Sequence, residues 1–444
     1  MTTFPLIRHE DANAVFAYRD GHAVSVGQFL GDVSQVAALL PDRRHILNLC
    51  ADRYHFTVGF SAALLRQHVS LLPPNHTPDL IGQLIGQYPD LYCLTDTAIE
   101  HVELETVLYP QSAEINSDTP PIPAIPAEQV AALVFTSGST GQPVPHRKYW
   151  GSLVKSALAE ADRLSMAAYP GMVIVGTVPP QHMYGLESTV LMAMQGGLTL
   201  FAGRPFYPAD VCAALASLPR PRGLVTTPVH LRALLAGMDE MPRVDFLLCA
   251  TSLLPPQLAA EAEARFAAPL HEIYGCTEAG QVATRRAINE PEWRVFRDLV
   301  LREDQHGAWV KGGHVETEIL LSDVIEIRDQ QTFLLHGRSA DLVNIAGKRT
   351  SLANLNYHLN SIEGVKDGVF VVPEEGNAVV ARLVAFVVAP DLTNEALMKA
   401  LRQRIDAAFL PRPLYFVESL PRNTTGKLPR AALDKLVSLA EKTE

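Results

Sequence analysis

The chain has 444 residues, 48% of them hydrophobic and 19% charged, an ordinary globular composition with core material for two or three domains. Its formal net charge of −11, without a basic tail, argues against nucleic acid or an anionic membrane as the main partner. The five cysteines are scattered and form no CxxC pair, so they indicate neither a zinc site nor a disulfide framework and fit a reducing cytoplasm.

The first stretch, "MTTFPLIRHEDANA", lacks the basic and apolar regions of a signal peptide. No apolar run approaches the ~18 residues that are needed to span a bilayer. We therefore expect a cytoplasmic protein without a membrane segment.

Residues 25–105 alternate between helical patterns, such as "SVGQFLGDVSQVAALL", and strand patterns, such as "RHILNLC" and "VSLLPP". This alternation predicts a parallel sheet that is covered by helices on both faces. The proline-rich segment 117–128 predicts an extended link to a second αβ layer, where the alternation resumes and continues to "LHEIYG".

From about residue 293 the pattern changes to short β-like runs, and the last hundred residues resemble a small α+β unit. We predict an α/β fold with a large N-terminal domain of αβ-layered sheets and a β-rich subdomain, followed by a small C-terminal α+β domain. The join lies near "HGRSADL", which gives predicted domains of 1–337 and 338–444.

The segment "VFTSGSTGQPVPHRK", 134–148, places a Gly/Ser/Thr loop directly after an apolar strand. Successive N–H groups in such a turn form an anion-binding concavity, to which the hydroxyl groups add donors. No lysine follows Gly141, so this is not the usual P-loop. On its own, such a run is more often a surface turn.

Other polar motifs follow at the ends of predicted strands. In "YGCTEAG", 274–280, a threonine and a glutamate could supply a phosphate donor and a Mg²⁺ ligand. Asp323 opens a β-run and could accept ribose hydroxyls, although an aspartate there is more often a turn residue. Two later segments, 337–349 and 420–430, contain glycines next to arginine or lysine, whose simpler interpretation is a solvated side chain.

Taken together and in this order, the motifs resemble those of the adenylate-forming superfamily, from about residue 25 to the C-terminus. This superfamily includes acyl-CoA synthetases, aryl-acid ligases, peptide-synthetase adenylation domains and luciferases. The motifs read Thr-Ser-Gly-Ser-Thr-Gly, Tyr-Gly-x-Thr-Glu, Asp, Gly-Arg-x-x-Asp…Gly-x-Arg, and Pro-Arg-Asn-x-x-Gly-Lys.

The resemblance implies an enzyme that attaches AMP from ATP to a small carboxylic acid, expels pyrophosphate, and passes the acyl group to a thiol. Mg²⁺ would assist the first step, and the thiol would be the phosphopantetheine of CoA or of an acyl carrier protein. The first domain would bind AMP, and the small domain would be a mobile lid that moves between the two steps. A monomer or a homodimer is implied.

The resemblance also assigns roles to residues by their position in the motifs. The β- and γ-phosphates would lie on the loop Thr136, Ser137, Gly138, Ser139, Thr140 and Gly141. Tyr274 and Gly275 would pack near adenine, Thr277 would contact the α-phosphate, Glu278 would hold Mg²⁺, and Asp323 would hold the ribose. Arg338 would lie at the domain junction, Arg349 would reach the phosphates, Lys427 would be the adenylation lysine, and Gly347 would line the pantetheine path.

The chain departs from the family pattern in two places that matter for the nucleotide. Val144 stands where the loop usually carries lysine, and we take Arg147 or Lys148 as the candidate replacement. The glycine-rich adenine loop of the family is here Cys249-Ala250-Thr251-Ser252, which leaves its adenine contact uncertain.

The predicted acid pocket contains His182, Tyr184, Gly185, Thr227 and Ser252. The run Tyr-Gly-Leu is similar to that of benzoate-type CoA ligases, which favours an aryl acid over a long acyl chain. A medium- or long-chain acyl-CoA synthetase, an amide-forming ligase, and a non-catalytic nucleotide-binding descendant remain alternatives, as does either thiol acceptor.

Overall fold

The computed structural model describes residues 1–98, 104–110, 120–137, 143–252, 254–338, 342–345, 348–372, 383–422 and 428–441. Among these residues, no helix combines the length and apolarity required to cross a membrane.

Among the described residues up to 163, the chain forms ten strands and four helices. The strands are β1 Thr3–Pro5, β2 Val15–Arg19, β3 His22–Ser25, β4 His45–Asn48, β5 Val69–Leu72, β6 Leu91–Thr95, β7 Thr106–Leu108, β8 Ala124–Pro126, β9 Val130–Ser137 and β10 Pro143–Tyr149. The helices are α1 Val26–Leu39, α2 Arg53–Leu65, α3 Pro78–Gln87 and α4 Trp150–Arg163.

The middle part adds a second series of strands and helices. The strands are β11 Val173–Gly176, β12 Thr199–Phe201, β13 Arg222–Thr226, β14 Phe246–Cys249, β15 Leu270–Cys276, β16 Gly280–Arg285, β17 Trp293–Val295, β18 Leu299–Asp304, β19 Gly307–Gly312, β20 Val315–Leu320, β21 Asp323–Ile327 and β22 Thr332–Arg338. The helices are α5 Met183–Gly185, which continues through a π-helical segment Leu186–Leu191 into α6 Met192–Gln195, then α7 Pro208–Ser217, α8 Pro228–Gly237 and α9 Pro256–Phe266.

The last part is the predicted α+β unit. Its strands are β23 Leu342–Ile345, β24 Lys348–Ser351, β25 Asp367–Val371, β26 Val384–Val388 and β27 Leu414–Phe416. Its helices are α10 Leu352–Asn360, α11 Asn394–Arg402 and α12 Arg430–Glu441.

Helix α12 was not predicted, because the prolines and basic residues around 420–430 make this tail look irregular. The helix predicted from the apolar spacing of residues 25–40 is present as α1. It begins at a capping box, in which the side chains of Ser25 and Gln28 each accept a hydrogen bond from the other's backbone N–H group. Helix α2 is buried almost all round, so it lies inside the domain rather than on its surface.

Two large sheets form the N-terminal part. Six strands lie in the order β10-β9-β5-β4-β6-β7, and all neighbours are parallel except the edge pair β10–β9. Eleven strands form the second sheet in the order β21-β22-β17-β16-β15-β14-β13-β11-β12-β2-β3. Its central strands β15 to β12 are parallel, whereas the strands from β16 to β21 are antiparallel. The predicted layered α/β fold is thus confirmed.

The strands on either side of the glycine-rich segment, β9 and β10, pair antiparallel and form a β-hairpin. The segment after it, in which Val144 replaces the family lysine, continues as strand β10 and pairs with β9, with Val144 opposite Thr136 and Lys148 opposite Ala132. Side chains along β10 therefore alternate between the two faces of the sheet, so that His146 and Lys148 share one face and Arg147 takes the other.

Arg53 ties helix α2 to the second sheet. Its guanidinium is fully buried and donates to the carbonyl oxygens of Gly176 and Val178, both at 2.8 Å, and to the Thr189 hydroxyl at 2.8 Å. Burial lowers the pKa of Arg53 to about 9, so the charge is retained at neutral pH. One side chain thus joins α2, β11 with the loop after it, and the π-helical segment.

Replacing Arg53 with methionine should lower the free energy of unfolding by about 3 kcal/mol, because buried carbonyl oxygens lose their donor. Urea denaturation followed by circular dichroism measures the change. The matched control is Arg66→Met at the exposed end of α2, which should stay within about 0.5 kcal/mol of the parent chain. Equal losses in the two variants would contradict the assigned role of Arg53.

Candidate active site

The hairpin and the segment 274–280 meet at Glu278. The Nε2 atom of His146 lies 2.9 Å from the Thr136 hydroxyl, with which it shares a hydrogen bond, and 3.7 Å from a carboxylate oxygen of Glu278. The Glu278 side chain is 43% exposed, so its carboxylate can still accept a ligand. Burial lowers the pKa of His146, with Glu278 opposing the change. Sequence reasoning missed His146, because it treated β10 as part of a loop.

Lys148 joins the same two segments by a hydrogen bond. Its Nζ atom is buried and donates to the backbone carbonyl of Glu278 at 2.9 Å. Burial lowers its pKa, and the nearby carboxylates of Glu187 and Glu278 oppose that effect. Arg147 lines a second cleft with Arg44 and Tyr88, and it also borders the cleft beside Glu278. Of the two predicted replacements for the loop lysine, Lys148 is therefore the one bonded to the glutamate motif.

Tyr274 connects the glutamate motif to the predicted ribose ligand. Its hydroxyl donates to Asp323 at 2.8 Å, and its ring packs against Trp293 and Phe333. Gly275 leaves no room for a side chain, because a Cβ there would lie 2.4 Å from the carbonyl oxygen of Gly280. Two predicted nucleotide motifs are thus in direct contact.

The segment that replaces the family's glycine-rich adenine loop keeps a backbone shape that glycine favours. Thr251 has a φ angle of +83°, which is a rare conformation for a β-branched residue. Strain of this kind collects at functional sites, where the surrounding structure enforces it. Ser252, which follows it, is exposed.

The residues predicted to bind the acid are mostly engaged in packing. The half-buried Tyr184 places its hydroxyl 3.1 Å from the carbonyl oxygens of both Thr226 and Leu248 and donates to that pair. A Cβ on Gly185 would lie 1.9 Å from the carbonyl oxygen of Pro179, so the glycine permits that close approach. Thr227 is buried and caps α8, where it accepts from the His230 backbone at 3.4 Å. His182 is half-buried directly before α5.

A cleft of about 150 Å³ opens between the hairpin, the glutamate motif and the sheet β18–β20. An apolar cavity of roughly this size holds one benzene molecule. Polar groups stand on its wall, among them Lys148, Ser156, Glu187, Glu278 and His314.

Two buried carboxyl groups, those of Glu187 and Glu160, lie in this part of the protein. Glu187 lies on its wall in the π-helical segment, where its carboxylate accepts a hydrogen bond of 2.7 Å from Ser156, and burial raises its pKa to about 7. Glu160 on α4 is fully buried, and the side chains of Ser188 and Gln281 stabilise its charged form less than burial disfavours it. Burial raises the pKa of Glu160 to about 8, so it is mainly protonated at neutral pH.

His314 stands on the opposite wall, between β19 and β20. The two preceding glycines have φ angles of +95° and +53°, and a Cβ on Gly312 would lie 2.3 Å from the carbonyl oxygen of Asp298. His314 is 6% exposed, and its Nε2 has no hydrogen-bond partner among the described residues. Burial lowers its pKa to about 4, so the imidazole is neutral at neutral pH.

Several predicted residues lie beyond what the structure describes. Gly138, Ser139, Thr140, Gly141, Gly347 and Lys427 fall outside the described residues, as do the side chains of Ser137, Arg338 and Arg349. Thr277 is half-buried in the turn that follows β15. Arg338 stands opposite Asp323 in the register of β21 and β22, and Arg349 lies in β24 opposite Asn344.

The segment that leads toward Lys427 is anchored by an ion pair. Arg422 binds both carboxylate oxygens of Asp367 on β25, at 2.7 and 2.8 Å. Arg232 on α8 lies 3.9 Å from the same carboxylate. Asp367 thus links β25 both to the segment that ends at Arg422 and to helix α8.

Within the described part of the chain, no group of three or more His, Cys, Asp or Glu side chains is placed to hold a metal ion. Glu278 is nevertheless a suitable single ligand. Mg²⁺ commonly takes one or two carboxylates and completes its shell with water and substrate phosphates.

A two-part α/β chain in which a Ser/Thr/Gly hairpin, a Tyr-Gly-x-Thr-Glu segment and an aspartate are brought into contact has the site of an adenylate-forming enzyme. Comparison with known proteins agrees. The model of the AMP-binding enzyme family matches residues 8–300, and that of the AMP-binding enzyme C-terminal domain matches residues 359–427. The chain belongs to the AMP-binding enzyme family, which confirms the resemblance seen in its motifs.

Individual relatives are distant in sequence and similar in fold. The chain is 28% identical over 325 residues to a 4-coumarate–CoA ligase of Halorhodospira halophila, covering 68% of this chain and 76% of that protein. It is also similar to the ATP-bound structure of MatB from Rhodopseudomonas palustris, with a TM-score of 0.80 at 16% identity and 97% of both chains covered. A Bacillus subtilis o-succinylbenzoate CoA synthetase bound to its acyl-adenylate has a TM-score of 0.79 at 17% identity, with 98% of both chains covered.

Replacing Lys148 with methionine should reduce acid-dependent exchange of labelled pyrophosphate into ATP by about tenfold or more, because misplacing Glu278 by a fraction of an ångström disturbs the reacting geometry. The control is Lys155→Met, which alters an exposed lysine on α4. An exchange rate that is the same in both variants would exclude the positioning role of Lys148.

Glu160 predicts a dependence of stability on pH. Its pKa is raised from 4.5 to about 8 in the folded protein, which therefore keeps a proton that the unfolded chain has lost. The free energy of unfolding should fall as the pH rises through this interval. Glu160→Gln should remove that fall, so its melting temperature should exceed that of the parent by more at pH 9 than at pH 6.

The control for this prediction is Glu261→Gln, which alters an exposed glutamate on α9. Its melting temperature should follow that of the parent at both pH values. If Glu160→Gln also tracks the parent across the range, Glu160 is not a buried acid.

Proposed function

We propose that the chain activates an aryl carboxylic acid with ATP, forms the acyl-adenylate, and transfers the acyl group to a phosphopantetheine thiol. The observation that carries this proposal is the contact network Thr136–His146–Glu278, which joins the phosphate hairpin to the glutamate motif. Relatives with aryl substrates support the acid class, among them the 4-coumarate–CoA ligase and a Thauera aromatica ligase of 3- and 4-hydroxybenzoate.

The chain provides a partial cradle for the triphosphate. The Thr136 hydroxyl stands at the end of β9 beside His146, where the hairpin tip begins. Glu278 would hold Mg²⁺, which when bound supplies positive charge that neutralises the phosphate oxygens. Lys148 fixes the backbone of Glu278 and so fixes the position of its carboxylate. The proposal also includes hydrogen bonds from residues 137–141 to the β- and γ-phosphates.

The nucleoside would lie over the Tyr274–Asp323 pair. Asp323 accepts a hydrogen bond from the tyrosine, and the two oxygens of a carboxylate are suitable acceptors for ribose hydroxyls. Gly275 allows close approach to the base. Arg338, Arg349 and Lys427 would add positive charge from the C-terminal side, with Lys427 carried by the lid.

CoA is the acceptor that the named ligases indicate. Transfer to an acyl carrier protein uses the same thiol and remains a proposed alternative. In either case Gly347 would border the path of the pantetheine arm.

The test is a screen of aryl, fatty and amino acids with ATP and Mg²⁺, in which hydroxylamine traps the activated acyl group. Aryl acids should give hydroxamate, and adding CoA in its place should give the thioester. Lys427→Ala should abolish hydroxamate formation while the melting temperature stays that of the parent. Activation of fatty or amino acids in preference to every aryl acid would refute the proposal.

Asp323→Asn should raise the KM for ATP by about tenfold or more, because an amide is a weaker acceptor for ribose hydroxyls than a carboxylate. The control, Asp329→Asn, alters an exposed residue in the turn between β21 and β22 and should leave KM unchanged. Binding of a fluorescent ATP analogue checks the affinity without turnover. An unchanged affinity in Asp323→Asn would remove Asp323 from the nucleotide site.

A further inference from the structure

A row of large side chains crosses four neighbouring strands of the eleven-stranded sheet. It begins on β15 with Glu272, which stands opposite Arg285 of β16. It continues with Trp293 of β17, which stands opposite Phe333 of β22. Because these strands are adjacent in the order β15-β16-β17-β22, side chains on one face can contact each other across the sheet.

Arg285 is held in the middle of this row. Its guanidinium donates to the Glu272 carboxylate at 2.6 Å and to the backbone carbonyl of Pro291 at 3.2 Å. Its guanidinium carbon lies 4.6 Å from the centroid of the Trp293 ring, which is a cation–π contact. The side chains of Arg285 and Glu272 are only 10% and 3% exposed, so solvent screens their ion pair little. Two hydrogen bonds and one ring contact thus hold the guanidinium in place.

Trp293 joins this ion pair to Tyr274. The centroid of the Trp293 ring lies 5.7 Å from that of Tyr274 and 6.4 Å from that of Phe333, on which it stacks. Phe333 is also in edge contact with Tyr274, with their centroids 5.6 Å apart. All three rings are buried, and a closely packed interior transmits the displacement of one side chain to the next. The position of the Tyr274 ring therefore depends on that of Trp293.

The Tyr274 ring in turn determines where its hydroxyl meets Asp323. That hydroxyl donates to Oδ2 of Asp323 at 2.8 Å, at the start of β21. A binding group has to be held within about 0.5 Å of its productive geometry by residues whose own positions are fixed by packing. The contacts from Glu272 through Arg285 and Trp293 provide such support for the predicted ribose ligand.

Stability alone does not require an ion pair at this place. Replacing a buried ion pair with apolar residues of similar volume is often neutral or stabilising. Apolar side chains could therefore fill the space beside Trp293. A guanidinium with directional partners differs from them, because it also determines where the indole ring lies.

We propose that Arg285 is a positioning residue for the nucleotide. Held by Glu272, it orients Trp293, which places Tyr274 and with it the carboxylate of Asp323. Arg285 acts only through these neighbours and does not touch the substrate. The inference rests on the proposed function, since it concerns the ribose side of the same site. It gives strands β16 and β17, which contain none of the nucleotide motifs, a role in ATP binding.

The test is Arg285→Lys, which keeps a positive charge for Glu272 but loses the planar guanidinium over the indole ring. The Kd of a fluorescent ATP analogue should rise by about fivefold or more. The KM for the acid at saturating ATP should stay within about twofold of the parent value, because only the nucleotide side is disturbed. A purely structural role would lower the melting temperature without separating these two constants.

The matched control is Arg302→Lys, which alters the same kind of contact elsewhere. The guanidinium carbon of Arg302 lies 5.0 Å from the centroid of the Trp309 ring, in the three-stranded sheet β18–β20. Arg302 also forms ion pairs, with Asp304 and Glu318. Its replacement should leave the Kd of the ATP analogue within about twofold of the parent value.

A double variant tests the route through Tyr274. Tyr274→Phe removes the hydroxyl that reaches Asp323 and should by itself raise the Kd of the analogue by about fivefold or more. Adding Arg285→Lys to Tyr274→Phe should raise it by at most about twofold further, because residues that act through one contact are not additive. A second full loss in the double variant would contradict this route.

The outcomes separate the two proposals. If no acid supports pyrophosphate exchange by the parent chain, the proposed function fails. If exchange proceeds and folded Arg285→Lys binds the analogue as tightly as the parent, this inference alone fails. It fails equally if Arg302→Lys weakens binding as much as Arg285→Lys does. Should Arg285→Lys not fold, Trp293→Phe, which keeps a smaller ring in the row, has the same expected and contrary results.

Discussion

The hydrogen bond from Lys148 to the backbone of Glu278 is the contact on which the arrangement of the site depends. It joins an edge strand of the six-stranded sheet to the end of β15 in the eleven-stranded sheet, so the two sheets meet at the glutamate motif. The bond is buried, and a lysine that lost its partner there would be costly, because burial disfavours the charged form. The register of β10 is thereby fixed, and with it the position of His146 beside Thr136.

This contact also changes the meaning of the altered loop. Val144 is exposed near the start of β10, whereas Lys148 lies four residues further along the strand, is buried, and donates to the backbone of Glu278. Positive charge close to Glu278 is therefore kept, but its role is to position the motif. The hairpin contributes hydroxyl and imidazole groups at Thr136 and His146, and further cations would come from the C-terminal side.

The sequence predicted the layered fold because its apolar periods are regular. The resemblance of its motifs assigned Tyr274 and Asp323 to the nucleotide, but it did not predict the hydrogen bond between them. It missed His146 and Glu187 for different physical reasons. The side of the sheet on which His146 lies depends on the pairing of β10 with β9. The prolines at 143 and 145 made this segment look like a loop rather than a strand. Glu187 points inward because of a π-helical segment, which shifts the helical period and has no clear composition signal. The position of His314 depends on the positive φ angles of Gly312 and Gly313. The two adjacent glycines were the only feature of the sequence that could have indicated this turn.

The buried acids deserve a separate explanation, since they lower stability. Glu160 and Glu187 lie in a region that apolar side chains could fill, and burying polar groups without full pairing is unfavourable. Such departures from the rules of packing are expected at functional sites. Glu187 borders the cleft beside Glu278 and accepts a hydrogen bond from Ser156 there. Glu160 keeps its proton instead, because burial outweighs the stabilisation of its charged form by Ser188 and Gln281, which bond each other at 2.9 Å.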